Sequence, residues 1–260
     1  MPDQPALIAV DIGNNRLKFG RFDPAPTAAL PEPTAVWHTT GDSLEPILSA
    51  PAAVPAGSLA WRIGSVNRPS TTRLLDWLGR ERPGDGVTLL AARDLPLKVE
   101  LERPDMVGID RLLDAVAANR LRPAGRPAVV IDVGSAITVD LVSAEGAFLG
   151  GAILPGIAMS ARALHTFTDL LPLVEMPELL EPPPALGTAT VPAMKSGLFW
   201  GAVGAIRELI ARLSAEASGE PAVFLTGGAG PAVASLLGPA ARHVPHLTLA
   251  GIALAQPAVA

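Results

Sequence analysis

The sequence contains no cysteine. Disulfide bonds, thiolate metal sites and a cysteine nucleophile are therefore excluded, and the composition suits a reducing compartment. Basic residues are also scarce, because 20 Lys and Arg stand against 25 Asp and Glu and the net charge is −5. Such a chain offers no general basic face to nucleic acid or to acidic lipid, so we expect any phosphate to be bound locally.

Signals for export or membrane insertion are also missing. An acid at Asp3 and no basic residue precede the first apolar run, which argues against a secretory signal. The charge-free stretch 146–161 contains Pro155 and several glycines, and the apolar stretch 196–213 is interrupted by charges. Neither resembles the roughly 20 apolar residues of a membrane span. We predict a cytoplasmic protein that binds neither a membrane nor nucleic acid.

Residues 7–20, LIAVDIGNNRLKFG, contain two predicted strands. The first is apolar and ends at Asp11 and Gly13, and the second follows the turn. A carboxylate beside a tight turn can hold a divalent ion through water, while the unshielded N–H groups of the turn approach a phosphate. The residues that fit these roles are Asp11, Gly13, Asn14, Asn15 and Lys18. A single turn of this kind is usually only a turn, so the pattern needs support from elsewhere.

That support comes from residues 128–142, AVVIDVGSAITVDLV, which repeat the same design. The second copy offers Asp132, Gly134, Ser135 and Thr138. A later apolar strand runs into the sequence T-G-G at residues 226–228. Two matching hairpins indicate a duplicated unit, and together with the glycine turn they favour a nucleotide site.

The duplication predicts an α/β fold of two domains. We expect an N-terminal domain over residues 1–123 and a C-terminal domain over 124–260, with the two hairpins forming the floor of a cleft. Predicted strands beyond the hairpins are 35–39, 58–66, 87–91, 97–101, 152–154 and 222–225. Predicted helices are 42–48, 70–80, 110–121, 157–167 and 196–213, and 247–255 is either a strand or a helix.

Residues 108–111, GIDR, stand at the start of a predicted helix between the two hairpins. Asp110 can serve there simply as a helix cap. Phosphoryl transfer, however, needs a carboxylate to accept a hydroxyl proton and a cation to hold the acceptor. Asp110 and Arg111 are adjacent and provide both groups, and the helix dipole would steady the carboxylate.

At this point the sequence resembles the type III pantothenate kinases, a family of the acetate and sugar kinase/Hsp70/actin superfamily. The resemblance covers almost the whole chain. It rests on the ordered motifs DIGNNRLKFG, GIDR, DVGSAITVD, GGAILPG, GTAT, SGLFWG and LTGG.

The resemblance implies two actin-like, ribonuclease H-like domains and ATP-dependent phosphorylation of pantothenate, the first step toward coenzyme A. Asp110 would be the general base, and the pantothenate site would be lined by Gly108, Ile109, Asp110, Arg111 and Thr190. ATP would contact Asp11, Ile12, Gly13, Asn14, Asn15, Arg16, Leu17, Lys18, Ser135 and Thr138, with adenosine near Gly227 and Gly228. Asp11 would hold Mg²⁺ through water and Asp132 a monovalent cation, K⁺ or NH₄⁺. The family also implies a homodimer, with Thr190 near its interface.

The chain departs from the family pattern at two positions. Asn15 replaces a threonine or serine, so an amide stands where the family has a hydroxyl. Leu101 replaces a tyrosine of the pantothenate pocket, and the chain has no tyrosine at all. Two alternatives follow: a kinase for another small hydroxylated substrate, or a non-catalytic regulatory relative with the same fold.

Overall fold

The computed structural model describes residues 5–23, 30–39, 44, 54, 57–175 and 181–257. The chain divides into two compact units. The first unit comprises the chain up to Leu121 together with the segment from His246 onward, and the second comprises Arg122–Pro245.

The first unit contains a mixed five-stranded sheet. Its strands are β1 (Leu7–Ile12), β2 (Leu17–Phe22), β3 (Ala35–Thr39), β4 (Ala60–Ser65) and β5 (Gly86–Leu89). They lie in the order β3-β2-β1-β4-β5. Strand β1 pairs antiparallel with β2 and parallel with β4, so the predicted hairpin forms the centre of the sheet.

The second unit repeats this sheet. Its strands are β6 (Ala128–Val133), β7 (Ala136–Val142), β8 (Phe148–Pro155), β9 (Ala222–Thr226) and β10 (Ala241–His243). Their order is β10-β9-β6-β7-β8, and β6 again pairs antiparallel with the next strand and parallel with β9. Each strand occupies the place of its counterpart in the first unit, which confirms the predicted α/β fold and its duplication.

The helices fill the connections between strands. They are α1 (Arg68–Glu81), α2 (Ile109–Leu121), α3 (Ile157–Thr166), α4 (Thr190–Glu216), α5 (Gly230–Ala234) and α6 (Leu247–Leu254), with 3-10 turns at Ala92–Asp94 and Pro104–Met106. Helix α4 begins at Thr190 rather than at 196, because Pro192 falls in the first turn, where a missing N–H costs no helical hydrogen bond. The segment 247–255, left open by the sequence, is a helix over all but its last residue.

One predicted strand is wrong, and one predicted helix lies outside the described residues. Segment 97–101 forms only an isolated bridge at Val99. The N–H of Leu97 donates to the carbonyl of Leu95 at 2.8 Å, so a tight local turn uses a donor that a strand would have given to its neighbour. Of the predicted helix 42–48, only Leu44 is described.

Each unit has its own apolar core. The first is built on alternate residues of β1 and β4, including Ile8, Val10, Trp61 and Ile63, with Leu74 of α1. The second is built on alternate residues of β6 and β7 with the apolar face of α4. Complete burial of a large aliphatic side chain stabilises the folded state by roughly 1.5–3 kcal/mol, so these alternating residues fix which face each sheet turns inward.

Helix α6 belongs to the first unit, although the predicted division at residues 123/124 places it in the second. Helix α6 packs against α2 so closely that a Cβ atom at Gly251 would overlap the carbonyl oxygen of Leu113. Arg62 of β4 donates to the carbonyl oxygens of Ala253 at 2.7 Å and Ala255 at 2.9 Å, at the C-terminal end of α6. The first unit is therefore completed by residues that the sequence assigned to the second.

The contact at Gly251 predicts a loss of stability in Gly251→Ala. The added methyl group meets backbone rather than a flexible side chain, and overpacking of this kind costs about 1–3 kcal/mol. Urea unfolding measures the effect. Gly79→Ala is the matched control, since Gly79 also lies in a helix of the first unit but has open space around it. That variant should gain about 0.5–1 kcal/mol. Equal stability changes in the two variants would contradict the packing described.

Candidate active site

Asp11 and Lys18 face each other across the first hairpin. They are register partners on β1 and β2, and the Lys18 Nζ atom lies 3.6 Å from Asp11 Oδ2. The turn between the strands is closed by the N–H of Gly13, which donates to the carbonyl of Arg16 at 2.9 Å. Asn14, Asn15 and Arg16 are exposed. The hairpin thus presents a polar turn that carries Arg16, beside a buried Asp11 that is paired with Lys18.

Asp11 is buried, and its side chain is 13% exposed. Burial raises its pKa above the ordinary value, Lys18 opposes that rise, and the negative charge of Asp110 adds to it. Asp110 lies at the start of α2, far from Asp11 in the sequence. The charge of the acid in the GIDR motif therefore acts on the acid of the hairpin within the first unit.

Backbone geometry at the start of α2 holds the Asp110 carboxylate. Its Oδ1 atom accepts a hydrogen bond from the N–H of Arg111 at 2.9 Å. A Cβ atom at Gly108 would lie 2.5 Å from that same oxygen. Only glycine leaves room for the carboxylate in this position, which explains why the motif needs Gly108 two residues before the acid.

A second glycine, Gly64, allows α2 to reach the sheet at this level. Gly64 lies on β4 as the register partner of Asp11. A Cβ atom there would lie 2.6 Å from Leu113 Cδ1 of α2. Gly64 was not among the predicted site residues, although a glycine inside an apolar strand is a usual sign that another part of the chain approaches closely.

Asn67 was also missed, because the sequence indicated only a turn there. Its Oδ1 atom accepts a hydrogen bond from the N–H of Ser70 at 3.1 Å and so caps α1. Its Nδ2 atom donates to the carbonyl of Asn14 at 3.4 Å. The same side chain therefore starts a helix and ties the loop after β4 to the turn of the first hairpin.

The second unit builds a corresponding arrangement around Asp132. Asp132 pairs in register with Thr138 on β7 and with Thr226 on β9. Gly227 follows with a positive φ of 97°, and a Cβ atom there would overlap Asp132 Oδ1 and lie 2.5 Å from the Val133 nitrogen. The T-G-G turn is thus packed directly on the acid of the hairpin, while Gly228 is exposed.

The turn that contains Ser135 is fixed by two glycines. The N–H of Gly134 donates to the carbonyl of Ala136 at 3.0 Å, and the N–H of Gly156 donates to the carbonyl of Ser135 at 3.1 Å. A Cβ atom at Gly156 would overlap the Gly134 carbonyl oxygen. The final glycine of the GGAILPG motif is therefore required by its contact with the hairpin turn.

Thr190 is the first residue of α4 and is exposed. A Cβ atom at Gly187 would overlap the Ala193 nitrogen, and the hydroxyl of Ser196 donates to the carbonyl of Ala185 at 2.6 Å. These contacts fold the GTAT motif onto the first turn of α4. Thr190 belongs to the second unit, whereas the other residues predicted to line the pantothenate site belong to the first.

A pocket of about 590 Å³ opens in the first unit beside the GIDR motif. Gly108 and Ile109 line it, and Asp110 follows them directly. The remaining walls come from residues 65 and 66 at the end of β4, from residues 90–93, from residues 104–107 and from Leu112 of α2. Only the GIDR part could be recognised in the sequence, because no motif marks the other walls. Leu101 is not among the lining residues.

Neither a cluster of metal-binding side chains nor a membrane-spanning helix occurs among the described residues. No group of three or more His, Asp or Glu residues in this part of the chain could hold a metal ion. Within the same residues, no helix combines the length and the apolar character needed to cross a membrane.

A family model for type III pantothenate kinase matches residues 7–212. The chain belongs to the type III pantothenate kinase family. A type III pantothenate kinase from Dehalococcoides mccartyi is 34% identical over 254 residues, which cover 95% of this chain and 93% of the relative. One from Anaeromyxobacter sp. is 33% identical over 251 residues, with 95% and 96% covered. The predicted family and kinase class are confirmed.

Two other comparisons cover only part of the relative or share little sequence identity with it. The relative from Paramagnetospirillum magneticum is 46% identical over 138 residues, and the match spans about half the length of that protein, 51%. Among solved structures, the ethanolamine utilization protein EutJ from Carboxydothermus hydrogenoformans aligns with a TM-score of 0.51 and 14% identity over 98% of this chain and 90% of that one. This likeness shows the fold alone.

Proposed function

We propose that the protein transfers the γ-phosphoryl group of ATP to the terminal hydroxyl of pantothenate, with Asp110 as the general base. The observation that carries the proposal is the position of Asp110. Its carboxylate is held at the start of α2 by the N–H of Arg111, and its negative charge raises the pKa of the buried Asp11. Asp110 also directly follows two residues that line the pocket. A hydroxyl bound there can give its proton to Asp110 as phosphorus is attacked.

The proposed acceptor site consists of Gly108, Ile109, Asp110, Arg111 and Thr190. Arg111 follows the base on the first turn of α2, where its guanidinium can hold the acceptor close to the reacting hydroxyl. Family membership supports pantothenate as that acceptor. Because ATP is supplied in the cytoplasm, we expect the reaction to take place there.

The proposed ATP contacts of the first hairpin run from Asp11 to Lys18. They are Asp11, Ile12, Gly13, Asn14, Asn15, Arg16, Leu17 and Lys18. Lys18 supplies a positive charge for a phosphate, and the exposed Asn15 can donate through its amide. Mg²⁺ commonly binds one or two carboxylates together with water and substrate phosphates, and Asp11 fits that role. When bound, Mg²⁺ neutralises charge on the phosphates.

The second unit contributes Ser135, Thr138, Gly227 and Gly228 to the proposed nucleotide contacts. The closed turn at Ser135 and the glycine turn packed on Asp132 support this assignment. We assign Asp132 to a monovalent cation, K⁺ or NH₄⁺. Its half-buried carboxylate offers oxygen ligands of the type that such ions prefer, and Thr138 and Thr226 are its register partners.

The proposed homodimer rests on exposed apolar residues of the second unit. Ile153, on the edge strand β8, is 63% exposed, and Phe167 and Leu170 after α3 are 85% and 86% exposed. Edge strands and large exposed apolar side chains are features that a partner normally covers. A second copy of the chain is the partner we propose, with Thr190 near the interface.

Purified protein should produce ADP only when pantothenate and either K⁺ or NH₄⁺ are present. Asp110→Asn should lower kcat by about 10²–10⁴, the usual contribution of a general base. Its circular dichroism spectrum should stay unchanged, because the exchange keeps the shape of the side chain. Full activity of Asp110→Asn would remove Asp110 from the base role, and ADP formation with other alcohols but not with pantothenate would favour a different acceptor.

Light scattering tests the homodimer. The wild-type protein should have twice the mass of the chain, and Ile153→Glu should shift it toward the monomer because a charge is buried at the edge of β8. Leu89→Glu is the matched control, since Leu89 is 50% exposed on β5, the edge strand of the first unit. A monomeric wild-type protein, or equal dissociation of both variants, would disprove this surface.

A further inference from the structure

The pocket beside the GIDR motif is mostly apolar but contains two charged residues, Arg93 and Asp105. Arg93 comes from the 3-10 turn Ala92–Asp94, and Asp105 from the 3-10 turn Pro104–Met106. An apolar pocket with a few placed polar groups is typical of sites for small molecules, because those groups orient the ligand. The charges therefore indicate what kind of molecule the pocket accepts.

Asp105, the acidic residue of the pocket, already has a cationic partner. Arg103 donates to both carboxylate oxygens of Asp105, from Nε at 3.0 Å and from an outer nitrogen at 2.8 Å. Arg93, in contrast, is exposed at the pocket wall and has no ion-pair partner among the residues that the structure describes. The pocket thus carries an uncompensated positive charge, which suits a ligand with a negatively charged group.

The turn that carries Arg93 is firmly held. Asp94 accepts a hydrogen bond from the N–H of Ala91 through Oδ2 at 2.8 Å, and its own N–H donates to the Ala91 carbonyl at 2.9 Å. The N–H of Gln256 donates to the Asp94 carbonyl at 2.8 Å. The segment after α6 therefore holds this wall of the pocket, and α6 in turn packs against α2, which begins within the GIDR motif.

We propose that Arg93 determines substrate specificity by binding the carboxylate of the acceptor. The inference rests on the proposed function, in which the hydroxyl end of pantothenate lies at Asp110. Pantothenate carries its carboxylate at the opposite end, so a pocket that begins at Gly108 and Ile109 and reaches Arg93 would bind both ends. The planar guanidinium can hold a carboxylate through two parallel hydrogen bonds, which a lysine cannot reproduce.

The test compares pantothenate with its primary amide, which has the same hydroxyl but no charge. Arg93→Gln should raise the KM for pantothenate by about 10- to 100-fold, as expected for loss of a hydrogen-bonded charge pair. The kcat and the KM for the amide should change by less than about threefold, since the reacting end is untouched. Arg93→Lys should restore part of the lost affinity.

Arg80→Gln is the control, because Arg80 is exposed on the last turn of α1 and does not line the pocket. It should leave the KM values for both acceptors unchanged. Equal effects of Arg93→Gln on pantothenate and the amide, or no effect on either, would overturn the role of Arg93 while leaving the kinase assignment intact. Absence of any pantothenate-dependent ADP from the wild-type protein would instead refute the proposed function and this inference with it.

Discussion

The close approach of helix α2 to its neighbours is the constraint on which the proposed active site depends. Gly64 allows α2 to reach strand β4, Gly251 allows α6 to press on α2 from the end of the chain, and Gly108 leaves space for the Asp110 carboxylate. A larger residue would meet the side chain of Leu113 at Gly64, the carboxylate of Asp110 at Gly108 and the backbone of α2 at Gly251. The glycines thus provide the space, and the chemistry is left to the residues they position.

Keeping Asp11 buried and within reach of the charge of Asp110 costs stability, because burial and the second negative charge both raise the pKa of Asp11. Lys18 offsets part of that cost. A bound metal ion and phosphate would offset more, since they add positive charge and ligands at the hairpin. Such a cost is expected where a protein keeps charges ready for a substrate, and it argues against the non-catalytic alternative.

The sequence predicted the features that depend on local patterns. Both hairpins, the duplicated sheets and the position of Asp110 on a helix start follow from apolar alternation, paired acids with glycines, and capping residues. The return of α6 to the first unit, the contact at Gly64 and the walls of the pocket around Arg93 depend on contacts between distant segments, which no local pattern encodes. The predicted strand at 97–101 is absent because a local hydrogen bond of Leu97 replaces the expected strand pairing.

The effect of the Asp110 charge on the pKa of Asp11 can be measured directly by carbon NMR titration of the Asp11 carboxyl group. In the wild-type protein, burial and the charge of Asp110 should hold the pKa of Asp11 above its ordinary value. Asp110→Asn removes the neighbouring negative charge, so the pKa of Asp11 should fall in that variant. A pKa of Asp11 that is the same in both proteins would contradict the arrangement on which the proposed catalysis rests.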